Sequence, residues 1–165
     1  MIIHNDADVP FPKPGQEPYQ LKQLGDLFRQ HPKTKIIWPH AGLGRVVRPV
    51  KDQLAIIDRA LGDPAMSNVY IDISWDETAK YINASPVALE ATAALISKYP
   101  DRFLFGSDVV APSSIDTPMK VFNLYEPLWS KLSPEVSYKV RLGNYERLFD
   151  AARLSVRAWE KANTK

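Results

Sequence analysis

No cysteine occurs among the 165 residues, so disulfide frameworks, thiolate nucleophiles and cysteine-ligated zinc are all excluded. Runs of like charge are also missing. The 21 basic and 19 acidic side chains are scattered, the net charge is only +2, and no basic stripe suggests a nucleic-acid or membrane-surface footprint. No apolar run approaches the roughly 18 residues a membrane span needs. Glycine is scarce, with seven residues, and none falls in a G-x-G-x-x-G or Walker-type loop, which argues against a dinucleotide or phosphate cradle. The start, Met1-Ile2-Ile3-His4-Asn5-Asp6, has neither the basic nor the apolar region of a signal peptide. The default expectation is therefore a soluble, cytoplasmic chain; any leader of a longer parent would lie upstream.

What remains is an ordinary globular composition, 45% hydrophobic and 24% charged. Four short runs rich in Ile, Val and aromatics are too brief for helices: Met1 to Ile3, Lys35 to Trp38, Val69 to Ile73 and Arg102 to Phe105. Each reads as a buried strand. Each leads into a polar group: His4, His40, Asp72 with Ser74, and Asp108. From His4 to His40 to Asp72 to Asp108 the steps are 36, 32 and 36 residues, about one strand-loop-helix-loop unit.

Helical periodicity fills the intervals. Leu21, Leu24, Leu27 and Phe28 form an apolar stripe over Tyr19 to Gln30, and Val50, Leu54, Ile57 and Leu61 form another before Gly62-Asp63-Pro64. Ser85-Pro86 is a start signal for Val87 to Tyr99, with Ala91, Ala94, Leu95 and Tyr99 facing inward. Thr117-Pro118 and Ser133-Pro134 repeat the signal before Lys120 to Lys131 and Val136 to Leu142, and a last helix is predicted from Tyr145 to about Lys161. Alternation of this kind implies an α/β fold with parallel strands, either an open sheet or part of a (β/α)8 barrel.

In a barrel, catalytic groups sit at the C-terminal strand ends, where these four polar positions fall. Two of the three histidines occupy such places; His31, beside Pro32, reads as a surface residue. Singly, each residue has a structural reading. A histidine after a strand is often only packed, and Asp108 in Gly106-Ser107-Asp108 suits an Asx turn. Asp72, inside a strand, must be paired or face a site if buried. Two histidines and an aspartate at matching points of one repeat favour a site.

The segments Ile36-Ile37-Trp38-Pro39-His40-Ala41-Gly42, Val69-Tyr70-Ile71-Asp72-Ile73-Ser74 and Arg102-Phe103-Leu104-Phe105-Gly106-Ser107-Asp108 resemble strands six, seven and eight of the amidohydrolase superfamily, closest to the amidohydrolase-2 branch that also holds decarboxylases. Ile3-His4 resembles the end of strand five, and Gly143-Asn144-Tyr145-Glu146-Arg147-Leu148-Phe149 the family's C-terminal helix. The resemblance implies that residues 1–165 are a single partial domain, the C-terminal half of a (β/α)8 TIM barrel with the N-terminal half absent. It implies a small-molecule substrate and a divalent metal, zinc with manganese as the alternative. His4 and Asp108 would be metal ligands. Asp108 would also take a proton from the water the metal holds, and His40 would polarise the reacting group. Such a metal lowers the pKa of its water to about 7, and a neighbouring carboxylate can carry the proton away. Arg45, with Arg48 near it, and Trp75 are candidate substrate-binding residues on the following loops.

The family's His-x-His pair on strand one does not occur in this sequence. Two protein ligands make a poor zinc site, since catalytic zinc usually has three plus water. A half barrel would also leave open parallel edges, inviting a homodimer or pairing with the missing N-terminal half. The expected function is therefore that of a fragment, inactive alone, of a metal-dependent hydrolase of amide, ester or lactone bonds in small organic acids. The alternatives are a decarboxylase of the same family and a non-catalytic half barrel that self-associates or binds a partner.

Overall fold

The computed structural model describes residues 1–4, 20–43 and 52–163. Three of the apolar runs form strands, β1 (Ile36–Trp38), β2 (Val69–Asp72) and β3 (Phe103–Leu104). They lie in one parallel sheet in chain order, β1-β2-β3, with Ile36 opposite Val69 and Ile71 opposite Phe103. The fourth run is reduced to a bridge: Ile2 pairs parallel with Ile37 on the outer side of β1, through Ile3 N–H to the Ile37 carbonyl at 3.0 Å and Ile37 N–H to the Met1 carbonyl at 2.8 Å. The architecture is α/β with a small parallel sheet.

Alternation along each strand sorts side chains onto two faces, as a period of two requires. Ile36, Trp38, Val69, Ile71, Ile73 and Phe103 join the main core. That core is completed by helices α1 (Leu21–Gln30), α2 (Gln53–Gly62), α3 (Asp76–Ile82) and α4 (Pro86–Lys98), and by Val121, Tyr125, Leu128 and Trp129. The intervening residues Ile37, Tyr70 and Leu104 form a second cluster, covered by Leu148 and Phe149 from the C-terminal region.

Helix starts follow the capping signals at two sites. Ser85 Oγ accepts from the Ala88 N–H at 3.1 Å, and Ser133 Oγ from the Val136 N–H at 3.3 Å at the head of α7 (Pro134–Tyr138). Thr117 does not cap: α5 (Asp116–Leu124) begins earlier, after an Ile115 that makes no side-chain cap. Proline fits anywhere in a first turn, where N–H groups have no helical partner, so Pro118 marks the turn and not its first residue. The single helix expected over Lys120 to Lys131 is split at Tyr125, with α6 (Glu126–Trp129) restarting around Pro127.

Two other expectations need correction. In α4 the buried residues are Thr92, Ala93, Leu95 and Ile96, while Ala91 and Ala94 are exposed. Alanine marks no face; the bulky Leu95 and Ile96 set the phase. The last helix begins with two wide π-type turns, Lys139–Gly143 and Glu146–Asp150, before α8 (Ala151–Asn163). Asn144 sits between those turns, buried, donating from Nδ2 to the carbonyls of Pro100 and Phe103 at 2.8 Å each. It pins the C-terminal segment to the base of β3. At the base of β2, buried Asn68 does the same, its Nδ2 serving the carbonyls of Phe28, His31 and Thr34 at 2.8–3.2 Å. His31 is exposed, as the sequence implies.

Candidate functional site

The polar residues that follow the strands gather around His40. After Trp38 the chain enters a tight turn, Pro39–Gly42, in which His40, Ala41 and Gly42 all adopt positive φ (56°, 51° and 77°). Such angles are costly for residues with a Cβ, of order 1–2 kcal/mol each, and persist where the surroundings over-determine them. The third position is closed to any side chain, because a Cβ on Gly42 would lie 2.5 Å from Trp38 Cζ2. The turn carries the His40 ring inward, leaving it 5% exposed.

Four neighbours surround that ring. Asp108 Oδ2 lies 3.8 Å from Nε2. The ring of exposed His4 is 4.9 Å away, centroid to centroid, and the Trp75 ring 5.0 Å. On the other edge, Nδ1 is 3.3 Å from the Ser74 carbonyl oxygen and 3.4 Å from Ser74 Oγ. Asp108 itself has φ 56° and a 43% exposed side chain, so its carboxylate is open to solvent while His40 is not.

Asp72, at the end of β2, meets the requirement for a buried strand carboxylate through Ser74. Ser74 Oγ donates to Oδ2 at 2.5 Å and the Ser74 N–H donates to Oδ1 at 2.9 Å. Burial nevertheless outweighs these bonds and raises the Asp72 pKa above its ordinary 3.8, with the Asp108 charge adding to the rise. Behind the loop, Tyr125 donates its hydroxyl proton to the Ile73 carbonyl and to that of Trp75, the latter at 2.7 Å. Trp75 stands at φ 92°, a strained value for a bulky residue, and this hydroxyl holds its backbone. Burial, with the charges of Asp72 and Asp76 behind it, pushes the Tyr125 phenol well above 10, so it remains a donor.

The structure thus brings together His4, His40, Trp75 and Asp108. Arg45 and Arg48 lie outside the described residues. Ser74 and Tyr125 carry part of the site without having been singled out from sequence. Ser74 left one trace, a polar residue alternating with Asp72 across Ile73; Tyr125 left none, being one aromatic in an apolar stretch. A cavity of about 400 Å³ opens elsewhere, between α1 and α2, lined by Leu24, Phe28, Trp38 and Met66 and by none of the strand-end residues.

His4, His40 and Asp108 are nitrogen and oxygen donors of the kind zinc accepts. Among the described residues, however, no three His, Cys, Asp or Glu side chains are grouped closely enough to hold an ion. The residues present do not by themselves make a metal site. What they can do unaided is hold and move a proton between a buried imidazole and an exposed carboxylate.

No curated protein matches the sequence. A model of the amidohydrolase family, whose members are generally hydrolases and usually bind divalent metals, matches residues 4–151. With that match spanning most of its length, the chain belongs to the amidohydrolase family.

Proposed function

We propose that this chain supplies the C-terminal half of a (β/α)8 barrel to a metal-dependent hydrolase acting on an amide, ester or lactone bond of a small organic acid. The observation that carries the reading is the meeting of His4, His40 and Asp108 at the ends of adjacent parallel strands. Active sites of barrels form at such ends. Residues 1–165 are then one partial domain, and its partners are a small-molecule substrate and an N-terminal half or second copy.

In this reading Asp108, open to solvent and 3.8 Å from His40 Nε2, takes the proton of the attacking water. His40, sheltered from solvent, shares that proton and returns it to the leaving group. Trp75 walls the substrate against the His40 ring, and Arg45 holds its carboxylate. The divalent ion of the family, zinc or in its place manganese, requires at least one ligand beyond His4 and Asp108, so the chain alone is inactive. The localisation expected is cytoplasmic; among the described residues no helix is long and apolar enough to cross a membrane.

The test is an assay of the purified chain, with and without zinc or manganese, against a panel of small lactones, esters and amides bearing a carboxylate. No turnover is expected from the chain by itself. Metal-dependent turnover that is lost in His4→Ala or Asp108→Ala would support the hydrolase assignment and overturn inactivity in isolation. Release of carbon dioxide from an unsaturated or aromatic acid, without hydrolysis, would replace hydrolysis by decarboxylation.

A further inference from the structure

The hydrogen-bond pattern around His40 fixes where its proton sits. Both oxygens of Asp72 are occupied by Ser74: the Ser74 N–H donates to Oδ1 at 2.9 Å and the hydroxyl to Oδ2 at 2.5 Å. The second distance is that of a charge-assisted O–H···O⁻ bond. A serine hydroxyl has one hydrogen. Once it is given to Asp72, Ser74 Oγ faces His40 Nδ1, 3.4 Å away, only as an acceptor. The Ser74 carbonyl oxygen, 3.3 Å from the same nitrogen, is an acceptor in every state. Nδ1 therefore confronts two acceptors and no donor.

We infer that Asp72 and Ser74 act as a positioning pair that holds neutral His40 in the Nδ1–H tautomer, with the Nε2 lone pair turned toward Asp108. Free histidine prefers the opposite tautomer, so the environment reverses an intrinsic bias. The role rests on His40 being the site residue proposed above, and it sharpens that role. A neutral His40 of this kind cannot donate from Nε2. It accepts a proton there, or donates to a metal or other cation, and polarises a carbonyl only once it has become imidazolium. Across the 3.8 Å between Nε2 and Asp108 Oδ2, two electron-pair donors face one another, and what bridges them must bring positive charge or a proton.

Asp72 controls the arrangement without touching the reacting atoms. Asn at that position retains the acceptor for the Ser74 N–H but presents an amide donor to Ser74 Oγ. The hydroxyl hydrogen is then released and can turn to Nδ1, making Nδ1 an acceptor and moving the ring proton to Nε2.

The experiment is ¹⁵N NMR of the histidine side chains in the full 165-residue chain, free of metal and substrate, at a pH where the rings are neutral. His40 is identified from the signals lost in His40→Asn. The expected wild-type pattern has a protonated, pyrrole-like Nδ1 and a pyridine-like Nε2. Asp72→Asn is expected to lose the dominance of that pattern in favour of Nε2–H. Ser74→Ala, which leaves only the backbone acceptor, is expected to give a mixture, and Ser74→Thr to restore the wild-type spectrum. An Nε2–H tautomer in the wild type overturns the inference whether or not any variant folds. An unchanged pattern in Asp72→Asn and Ser74→Ala overturns the part given to the pair. Since no turnover is measured, failure of the hydrolase reading leaves this result standing, and the converse also holds.

Discussion

Replacing Tyr125 by Phe removes one oxygen from the structure and little else. The ring packs against Phe105 at 4.7 Å and Trp129 at 5.7 Å between centroids, contacts that phenylalanine preserves. What disappears is the donor shared by the carbonyls of Ile73 and Trp75. A buried acceptor stripped of its partner costs about 1–3 kcal/mol. Part of that loss returns if Trp75 relaxes from φ 92°, since such strain is itself of order 1–3 kcal/mol. The net expectation is a destabilisation of about 1–2 kcal/mol, which for a chain this size lowers Tm by roughly 2–8 °C. Urea denaturation of both proteins at neutral pH measures it. A pH series supplies a second arm. The folded phenol titrates above its unfolded value of 10.0, so its stabilisation is complete below pH 10 and declines as pH rises further, when only the unfolded chain ionises. Wild type should then lose stability relative to Tyr125→Phe at up to about 1.4 kcal/mol per pH unit. A difference below about 0.5 kcal/mol at neutral pH, with no narrowing above pH 10, would refute the claim that this hydroxyl holds the loop.

Gly42→Ala is expected to cost at least about 2 kcal/mol, combining an unfavourable φ of 77° with a methyl 2.5 Å from Trp38; calorimetry of the variant checks it. Asn68→Ala strips one donor group from three backbone carbonyls and should cost about 2–4 kcal/mol in urea denaturation, with an isosteric Asp expected to fare no better because it lacks the donor. Because burial raises the Asp72 pKa, the folded state binds that proton more tightly than the unfolded chain. Its contribution is largest below 3.8 and declines as pH rises through the shifted value. Stability measured from pH 3.5 to 7 should therefore shift in favour of Asp72→Asn as pH rises, and a constant gap between the two proteins would contradict the shift.

The strand positions and their polar ends were legible because burial on both sides of a parallel sheet demands short continuous apolar runs, and the spacing from His4 through His40 and Asp72 to Asp108 preserved the unit. Helix starts at Ser85 and Ser133 were legible for an equally local reason, a hydroxyl placed to accept the first free N–H groups. Helix α3 was missed. Its signal was brief, an acidic first turn at Asp76 and Glu77 before buried Thr78, Ala79 and Ile82, and seven residues give too little periodicity. At the site, His4, His40, Trp75 and Asp108 could be named because each stands next to a strand. The left-handed path through His40 and Ala41 could not, since neither residue favours it and only the packing of Trp38 and Gly42 imposes it. Nor could Ser74 and Tyr125, whose parts depend on which atoms of distant segments meet.

The order of the sheet has a kinetic meaning. Every pairing, Ile2 with Ile37, Ile36 with Val69 and Ile71 with Phe103, closes a segment of roughly 30–35 residues, so the entropy lost on closure recurs at each step and does not mount with chain length. A strand leaving the ribosome finds its neighbour already made, one unit earlier, and needs nothing synthesised later to pair with it. The sheet can grow at its leading edge as translation proceeds, and a lesion in one unit stalls the next while those behind it stay paired.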